Sequence, residues 1–378
     1  MRKFAAAVLA AAVFCCGTPQ IFAMEETVTI SAPSAVLMTL DGQLLYEKDA
    51  HTPREPASVT KVMTLLLACE AIDEGRITLE ERVTASAHAA SMGGSQIWLE
   101  EGEQLTVAEM LKCIAVVSAN DCAVALGEHL AGSEEAFVGQ MNRRAEELGM
   151  ADTHFVNACG LTDEGHVTSA YDIGLMSARL LREHPWICDY TTIWQDSVRN
   201  GESVLNNTNK LLKSYQGITG LKTGYTSTAG YCISATAQRE NLHLIAVIMS
   251  GESSASRNAD ASTLLNWGFA NYAAVTLTAD QPILPLPVDM GKQERVMLEL
   301  ESGGVQVLPR GVLPKLEKRL ELPLSIAAPV EQGQKVGELV VTAGEQEVCR
   351  LAVVAAERVE RLKIREICLL MLASMCGR

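Results

Sequence analysis

Three short motifs place two serines, two lysines and an asparagine in a fixed order along the chain. Ser58 precedes Lys61 by three residues, and further on Ser118 precedes Asn120 by two. A Lys-Thr-Gly tripeptide follows at positions 222–224. Each motif arises often by chance, but the ordered set supplies a nucleophile, a base, a proton carrier and a cation. The set therefore predicts acyl transfer through a serine.

Ser58 and Lys61 are the predicted nucleophile and general base. Apolar residues recur at helical spacing over 58–72, which puts the lysine on the same helix face as the serine, one turn later. The lysine can take the hydroxyl proton if its pKa falls from about 10.4, through burial or a neighbouring cation such as Lys222. Taken alone, this pair is more often a helix cap beside a solvated lysine. The two companion motifs reverse that interpretation.

The two later motifs are predicted to handle the leaving group and to bind the substrate. The Ser118 hydroxyl can pass a proton to the leaving group, and Asn120 offers a donor and an acceptor to a substrate amide. Lys222 and Thr223 on a strand edge can hold a carboxylate, while Gly224 lets a substrate backbone approach closely. Alternatively, the first of these motifs is a helix cap and the second a β-turn.

Two backbone N–H groups are predicted to form an oxyanion hole. One belongs to Ser58, at the N-terminus of a helix, and the other to Tyr225, directly after the glycine of the third motif. Such donors stabilise the negative oxygen of a tetrahedral intermediate. This chemistry requires no metal ion and no cofactor, and neither is expected.

The elements that must position these motifs alternate between strands and helices. Period-2 runs and an Asp-Gly turn predict strands at 35–40, 44–47, 231–236 and 242–249. Periodicity of 3.6 predicts helices at 58–72, 106–117, 121–130, 134–148 and 254–272. The simplest architecture is an α+β fold, an antiparallel sheet with helices on its faces and a helical lobe inserted mid-chain.

The composition changes near position 278, where prolines mark a linker. Beyond it, short apolar or alternating runs separated by glycine and proline predict a small all-β domain over 283–355. The expected domains are therefore a catalytic domain at 24–278 and a small β-rich domain at 279–357.

Both ends of the chain carry targeting signals. Residues 1–23 combine two basic residues, a short apolar stretch and a small-residue cleavage site, which predicts a secretory signal peptide and an exported protein. An uncleaved N-terminal anchor is the alternative. Residues 358–378 place four basic residues before a short apolar run, which predicts an amphipathic helix on the membrane surface. An unanchored tail, or a helix packed on the β domain, is the alternative there.

Charge and cysteine content exclude several classes of partner and site. The 378 residues carry a formal charge of -15, which argues against nucleic acid because such binding normally needs a basic face. Of the 11 cysteines, Cys15 and Cys16 lie in the signal, which leaves an odd number. Several of the others lie in apolar segments, so buried free thiols are expected. The absence of a C-x-x-C pair argues against a zinc site of the cysteine type.

The motif contexts resemble the D-alanyl-D-alanine carboxypeptidases, the low-molecular-weight penicillin-binding proteins. The resemblance rests on Pro-Ala-Ser-Val-Thr-Lys-Val-Met-Thr at 56–64, Ser-Ala-Asn at 118–120 and Gly-Leu-Lys-Thr-Gly-Tyr-Thr at 220–226. It extends to segments at 157–172 and 264–269, and it covers roughly residues 30 to 275. The β domain and the C-terminal amphipathic segment are also expected of that family.

The resemblance implies the transpeptidase fold shared by penicillin-binding proteins and serine β-lactamases. It further implies an exported enzyme at the outer face of the cytoplasmic membrane that trims the terminal D-alanine from peptidoglycan pentapeptide stems. Ser58 would be acylated by the stem peptide or, covalently and as an inhibitor, by a β-lactam. Arg199 and Arg257 fall where the family places carboxylate-binding arginines, although surface salt bridges are the alternative for each.

Two departures from related enzymes keep other functions open. The middle residue of the second motif is Ala119, where class A β-lactamases have aspartate, and no glutamate that could activate a deacylating water is evident. Tyr225 stands where some family members have histidine. A serine β-lactamase, which would turn over penicillin rapidly, is one alternative, although the missing glutamate and the extra C-terminal domain argue against it. A catalytically weak protein that senses or scaffolds the cell wall is the other, although its intact motifs argue against it.

Overall fold

The computed structural model describes residues 28–301 and 305–367. The chain forms two compact units, the first of residues Glu26–Ala274 and the second from Val275 onward. The division falls a few residues before the boundary expected from composition at position 278. The predicted signal peptide at 1–23 lies outside the described residues.

A five-stranded antiparallel sheet organises the first unit. Its order is β2-β1-β9-β8-β7, so the first hairpin pairs with strands that lie some two hundred residues later. Two short ribbons, β3-β4 and β5-β6, lie outside this sheet. The strands of the unit are β1 (Ser34–Thr39), β2 (Leu44–Lys48), β3 (Arg82–Thr84), β4 (Gln104–Thr106), β5 (Gln195–Val198), β6 (Ser203–Asn206), β7 (Ile218–Thr226), β8 (Gly230–Arg239) and β9 (Leu242–Gly251).

Helices fill the segments between the first hairpin and β7 and close the unit after β9. They are α1 (Lys61–Asp73), α2 (Ala87–Ala90), α3 (Val107–Val116), α4 (Asn120–Ala131), α5 (Glu134–Glu147), α6 (Ala170–Glu183), α7 (Cys188–Thr191), α8 (Leu211–Ser214) and α9 (Ser254–Asn271). Serine and threonine side chains cap α3, α5, α6 and α9 at their first turns.

Two of these helices cover opposite faces of the sheet. A Cβ added at Gly174 of α6 would lie 2.9 Å from the Met38 side chain, and one at Gly268 of α9 would lie 2.7 Å from Leu37. Neighbouring residues on a strand point to opposite faces, so α6 and α9 lie on different sides of β1. Glycine at both contacts allows each helix to approach the sheet closely.

Helix α1 is the buried centre of the helical lobe. Its sequence periodicity predicts one apolar face, whereas ten of its thirteen residues are buried in the structure. The surrounding core also takes in residues of α3, α4, α5 and α6. A helix enclosed by others has no solvent face, which explains why apolar residues surround it.

The sequence analysis missed α6 as well as the two small ribbons. Helix α6 begins at the Ser169 cap, whose hydroxyl accepts from the Asp172 N–H at 3.2 Å. The sequence analysis identified part of this segment only through its family resemblance, although Ile173, Met176 and Leu180 recur at helical spacing along it. The predicted strands and helices around the three motifs are all present, within a few residues at each end.

β-Strands make up most of the described part of the second unit, which also contains a 3-10 helix at Arg310–Lys315. A three-stranded sheet of order β12-β11-β16 and a four-stranded sheet of order β13-β18-β17-β15 each cover a small apolar core. Strand β11 includes Pro287, so the proline-rich linker expected there already contains a strand. The strands from the division onward are β10 (Tyr272–Thr276), β11 (Leu286–Asp289), β12 (Arg295–Val296), β13 (Leu298–Leu300), β14 (Val305–Pro309), β15 (Leu316–Glu321), β16 (Ile326–Ala327), β17 (Lys335–Ala343) and β18 (Gln346–Ala355).

The predicted α+β class, with a small all-β C-terminal region, is confirmed. Within the described ranges, no helix combines the length and apolar character needed to cross a bilayer. Most of the apolar run in the predicted amphipathic segment lies outside the described residues, which stop at Ile367. The seven cysteines of the described part of the chain are free thiols, five of them buried.

Candidate active site

Ser58 lies on a tight turn that runs directly into α1. The 3-10 turn Ala57–Thr60 precedes the helix, so the serine stands just before it rather than in its first α-helical turn. Ala57 has a φ of 47°, in the left-handed region that is unfavourable for residues with a Cβ. Gly160 makes room for this turn, because a Cβ there would lie 1.9 Å from the Ala57 carbonyl oxygen.

A hydrogen-bond chain that starts at His166 fixes the same turn. The His166 Nδ1 accepts from the Val156 N–H at 3.0 Å, so the ring proton sits on Nε2, which donates to Thr60 Oγ1 at 2.8 Å. The Thr60 hydroxyl in turn donates to the Ala57 carbonyl at 2.8 Å. Burial lowers the pKa of His166 to about 4, which keeps the ring neutral at neutral pH. The sequence analysis assigned no role to this histidine.

Lys61 is fully buried, and its ammonium group meets three acceptors. Its Nζ lies 2.9 Å from Ser58 Oγ, 2.6 Å from Asn120 Oδ1 and 2.7 Å from the Cys159 carbonyl oxygen. An ammonium has three N–H donors, so all of them are used. The contact with Ser58 is short enough for direct proton transfer.

The pKa of Lys61 falls to about 8, chiefly because burial removes water from the charged form. The Cys159 thiol and the Asp121 carboxylate partly offset this effect. The sequence analysis offered two causes, burial and a neighbouring cation such as Lys222. Burial dominates at Lys61, whereas the charge of Lys61 helps to lower the pKa of Lys222.

Ser118 and Asn120 lie on the corner between α3 and α4. Ser118 has a left-handed φ of 66°, and Asn120 begins α4. The Asn120 amide spans the site, since its Oδ1 accepts from Lys61 while its Nδ2 donates to the Gly93 carbonyl at 2.6 Å. The Ser118 hydroxyl is buried and has no hydrogen-bond partner among the described residues. A buried hydroxyl without a partner costs free energy, which fits a group that acts on a substrate.

A buried carboxylate beside this corner holds the loop that faces it. Asp121 Oδ2 accepts from the Ile97 N–H at 3.1 Å and the Leu99 N–H at 3.0 Å, and the Asn120 N–H donates to the Ser95 carbonyl at 2.7 Å. The sequence analysis missed Asp121. An acidic residue inside an otherwise apolar helix was the available signal, because a buried carboxylate requires hydrogen-bond partners.

Lys222 is the second buried lysine of the site. Its Nζ has one acceptor among the described residues, the Thr223 carbonyl at 3.0 Å. Its pKa lies well below the usual value, first through burial and then through the charges of Lys61 and Arg257. The Thr223 hydroxyl contacts Thr208 Oγ1 at 2.7 Å. This amine therefore has donors left for a ligand.

Arg257, near the start of α9, adds a second cation beside Lys222. Its guanidinium contacts Asn258 Oδ1 at 2.9 Å, and Ser254 Oγ and the Cys232 carbonyl at 3.3 Å. All of these are neutral groups. Burial lowers the pKa of Arg257 to about 10. Neither Lys222 nor Arg257 is paired with a carboxylate in the part of the chain that the structure describes, so the pair favours an anionic ligand.

Gly224 brings strand β7 against the Ser58 turn. A Cβ at Gly224 would lie 2.9 Å from both the Ser58 backbone nitrogen and the Pro56 carbonyl oxygen. The glycine therefore makes room for the serine turn, whereas the sequence analysis expected it to make room for substrate. Because Tyr225 follows directly, its backbone lies beside that of Ser58. The Tyr225 side chain is 56% exposed and packs against the Tyr231 ring, with centroids 4.3 Å apart.

Among the described residues, no hydrogen bond or ion pair links Arg199 to Lys61 or Lys222. Its five N–H donors meet five acceptors: two oxygens of Glu103, the carbonyls of Ile97 and Trp98, and Ser203 Oγ, at 2.6 to 3.2 Å. A guanidinium with every donor engaged has none left for a substrate carboxylate. This arrangement favours a role in holding the 97–103 loop, and binding of substrate by Arg199 remains only a prediction.

The other predicted site residues converge from four parts of the chain. The turn before α1 and the start of α1 supply a serine and a partly neutral amine, and the α3–α4 corner supplies an unpaired hydroxyl. The edge strand β7 and the start of α9 supply the cationic pair. Such a set can deprotonate a serine, hold an anionic substrate group and stabilise an oxyanion. The structure also provides Asp121 and His166 as supports that the sequence analysis did not identify.

Comparison with known families assigns both units. Residues 21–253 match the model of the D-alanyl-D-alanine carboxypeptidase family, and residues 275–361 match that of the C-terminal domain of penicillin-binding protein 5. The chain is 39% identical over 354 residues to the D-alanyl-D-alanine carboxypeptidase DacF of Bacillus subtilis, which covers 91% of each chain.

Solved structures of related proteins share the architecture. Penicillin-binding protein 5 of Haemophilus influenzae superposes with a TM-score of 0.80 at 29% identity, over 89% of this chain and 99% of that one. Penicillin-binding protein D2 of Listeria monocytogenes, in a cefotaxime-bound form, superposes with a TM-score of 0.57 at 31% identity, over 65% of this chain and all of that one. The fold and the resemblance predicted from the sequence are thus confirmed.

Proposed function

Because the chain belongs to the D-alanyl-D-alanine carboxypeptidase family, we propose that it removes the terminal D-alanine of peptidoglycan pentapeptide stems through an acyl-enzyme on Ser58. The contact of Lys61 Nζ with Ser58 Oγ at 2.9 Å, within a site that also holds an unneutralised cationic pair, carries this proposal. The catalytic residues are Ser58, Lys61 and Ser118.

In the first step, neutral Lys61 takes the Ser58 proton while Oγ attacks the carbonyl carbon of the penultimate D-alanine. The resulting oxyanion accepts from the backbone N–H groups of Ser58 and Tyr225. The proton then passes through Ser118 to the nitrogen of the terminal D-alanine, the C–N bond breaks, and that residue leaves as a free amino acid. Water hydrolyses the ester in the second step and restores Ser58.

The substrate is held at its two ends by different groups. We assign the terminal carboxylate of the stem to Lys222, Thr223 and Arg257, because that pair of cations has no carboxylate partner among the described residues. The remaining Asn120 amide hydrogen and the backbone of β7 next to Gly224 are the proposed contacts of the peptide. Arg199 would contribute indirectly, through the loop it holds.

β-Lactams are the proposed covalent inhibitors of the same serine, because they present an acyl group and a carboxylate in a similar arrangement. The Listeria relative described above, solved with cefotaxime bound, supports this inference. Incubation with penicillin should add one drug mass to a peptide that contains Ser58. An adduct on another residue, or none on folded protein, would exclude the mechanism.

Two rates measured on one preparation distinguish the carboxypeptidase from a β-lactamase. D-Alanine release from diacetyl-Lys-D-Ala-D-Ala should be measurable, while penicillin hydrolysis stays slow because no class A-type glutamate is evident. Fast penicillin turnover without D-alanine release would favour the β-lactamase. Stable acylation without turnover of either compound would favour the binding protein.

We also propose that the protein is exported and attached to the outer face of the cytoplasmic membrane, where its substrate is made. The signal-like segment 1–23 and the basic, then apolar, segment 358–378 support this location.

Anionic vesicles should bind the mature protein better than neutral ones, and salt should weaken the binding. A variant that ends at Leu362 retains Val359 and Arg361, which form β-bridges with Val330 and Gly291 in the β domain. It should keep its activity on a soluble peptide and no longer bind the vesicles. Equal sedimentation of both forms would contradict the anchor.

A further inference from the structure

The C-terminal ends of three helices meet in a pocket away from the serine. The pocket has a volume of about 300 Å³, and its lining includes Glu70 of α1, Arg144 of α5 and Glu183 of α6. His184, directly after α6, also lines it. The C-terminus of a helix carries a partial negative charge, so three such ends and several carboxylates make this pocket attractive to a cation.

Three side chains bring potential metal ligands close together. One ligand atom from each of Glu70, Glu183 and His184 lies within 4.8 Å of the other two. Two carboxylates and an imidazole suit divalent transition metals, which accept mixed nitrogen and oxygen ligands. Glu70 and Glu183 lie in the last turns of α1 and α6, and His184 directly follows α6, so a bound ion would join these helices.

His184 provides an independent indication that the pocket is built for a ligand. The residue is 5% exposed, and its Nε2 is buried without a hydrogen-bond partner among the described residues. Its Nδ1 contacts a carboxylate oxygen of Asp73. A carboxylate on one imidazole nitrogen orients the ring and leaves the other nitrogen free to bind a metal, an arrangement typical of metal-binding histidines.

The ion pairs in the pocket leave one oxygen of each glutamate available. Arg144 contacts Glu70 only through Oε1, at 2.9 and 2.7 Å, and the described contacts include none to Oε2. Arg179 Nε lies 2.7 Å from Glu183 Oε2, yet without hydrogen-bond geometry. The other Glu183 oxygen has only a distant contact, with Arg182 at 3.9 Å. Arg144 and Arg179 therefore reduce the negative charge of the pocket, and one oxygen of each glutamate stays available to a metal ion.

We propose that Glu70, Glu183 and His184 form a binding site for a divalent transition metal, with Zn²⁺ as the ion to test. Asp73 orients the imidazole, and water completes the coordination. The ion would fasten the end of α1 to the end of α6, at the opposite end of α1 from Ser58. Its role is structural, and the site is independent of the proposed hydrolysis. The absence of a C-x-x-C pair argues only against a zinc site made of cysteines, and this site contains none.

Titration of the metal-free full chain with ZnCl₂ tests the site. We expect one Zn²⁺ per chain by calorimetry and metal analysis, together with a rise in Tm, because an ion that binds only the folded state stabilises it. Glu183→Gln removes a ligand on the pocket surface and should weaken binding by at least about tenfold. Glu147→Gln is the matched control, since this exposed pocket carboxylate carries the same charge but is not one of the three ligands. It should change the affinity by less than about threefold.

Spectroscopy identifies the imidazole directly. Pulsed electron paramagnetic resonance on the Cu²⁺-loaded chain should show coupling to an imidazole nitrogen, and His184→Gln should abolish that signal. If this buried variant fails to fold, the spectrum of the wild-type chain and the Glu183→Gln affinity still decide the question. Failure of the wild-type chain to bind Zn²⁺, equal losses in Glu183→Gln and Glu147→Gln, or a bound metal without imidazole nitrogen would each overturn the proposal.

Discussion

The active site contains two buried lysines that differ in what surrounds them. Lys61 and Lys222 are both almost inaccessible to solvent, and burial is the main cause of a lowered pKa in each. Lys61 has all three donors engaged, one of them on the nucleophile Ser58. Lys222 has one backbone acceptor and two cationic neighbours, Lys61 and Arg257.

This difference separates two tasks that one residue type can perform. Burial destabilises the charged form of an amine and lowers its pKa. A buried amine held in a fixed position can therefore be neutral near physiological pH and accept a proton. An amine with unused donors and repulsive neighbours gains most when an anion arrives. This contrast supports Lys61 as the proposed base and Lys222 as the proposed binding group for the substrate carboxylate. Three experiments test this division of tasks, and a fourth tests the support of the Ser58 turn.

The largest effect is expected from Lys61→Arg. Arginine stays charged at any working pH, so it cannot take the Ser58 proton, and acylation by penicillin should slow by at least about 10³-fold. Intact-mass analysis over time measures this rate. Lys222→Arg, which retains a cation at the other position, is the matched control and should still acylate. If folded Lys61→Arg acylates at a near-normal rate, Lys61 is not the base.

The second experiment removes the charge of Lys222 and varies the substrate. Lys222→Met should lower kcat/KM for D-alanine release by roughly 100-fold, because the substrate carboxylate loses a buried partner. A substrate in which that carboxylate is replaced by an amide should be poor for the wild type and lose little more in the variant. Equal losses on both substrates would show that Lys222 does not recognise the carboxylate.

The third experiment uses pH to observe the base. Neutral Lys61 is the active form and its pKa is about 8, so the acylation rate should fall about tenfold for each pH unit below that value and level off above it. The second-order rate constant for penicillin acylation between pH 5.5 and 9.5 gives the profile. His166, with its pKa near 4, adds no step in this range. A flat profile across pH 6–9 would contradict a buried lysine base.

The smallest effect concerns the support of the Ser58 turn. Thr60→Val breaks the link between His166 and the Ala57 carbonyl. Thr64→Val, in the first turn of α1, removes an equally buried hydroxyl that donates to the Ala158 carbonyl at 2.7 Å. Each should destabilise the protein by about 1 kcal/mol. Only the first should slow acylation, by about three- to tenfold. Equal acylation rates in both variants would mean that the turn does not need this support.

The parts of the site that were predictable from the sequence have local signals. Ser58 and Lys61 are separated by one helical turn, so periodicity alone puts them side by side. The Asp-Gly turn predicts the first hairpin, and the break between α3 and α4 falls at Ser118. Each of these conclusions needs only a few consecutive residues.

The remainder depends on contacts between distant segments. Nothing near Arg199 indicates that Glu103 and the 97–103 loop will occupy all of its donors. The role of His166 depends on Thr60, more than a hundred residues earlier. The lowering of the pKa of Lys61 and of Lys222 likewise depends on how deeply each side chain is buried. The spacing of the motifs does not reveal this burial.

The close contact at Gly224 has a consequence for when the enzyme becomes active. The nucleophile and the strand that completes the oxyanion hole are separated by more than 160 residues, and they join only when β7 packs against the Ser58 turn. A chain that has folded only its helical lobe would possess a serine and a base but neither the second oxyanion donor nor the cationic seat. Hydrolysis through the proposed mechanism is therefore expected only after β7 has packed against the Ser58 turn.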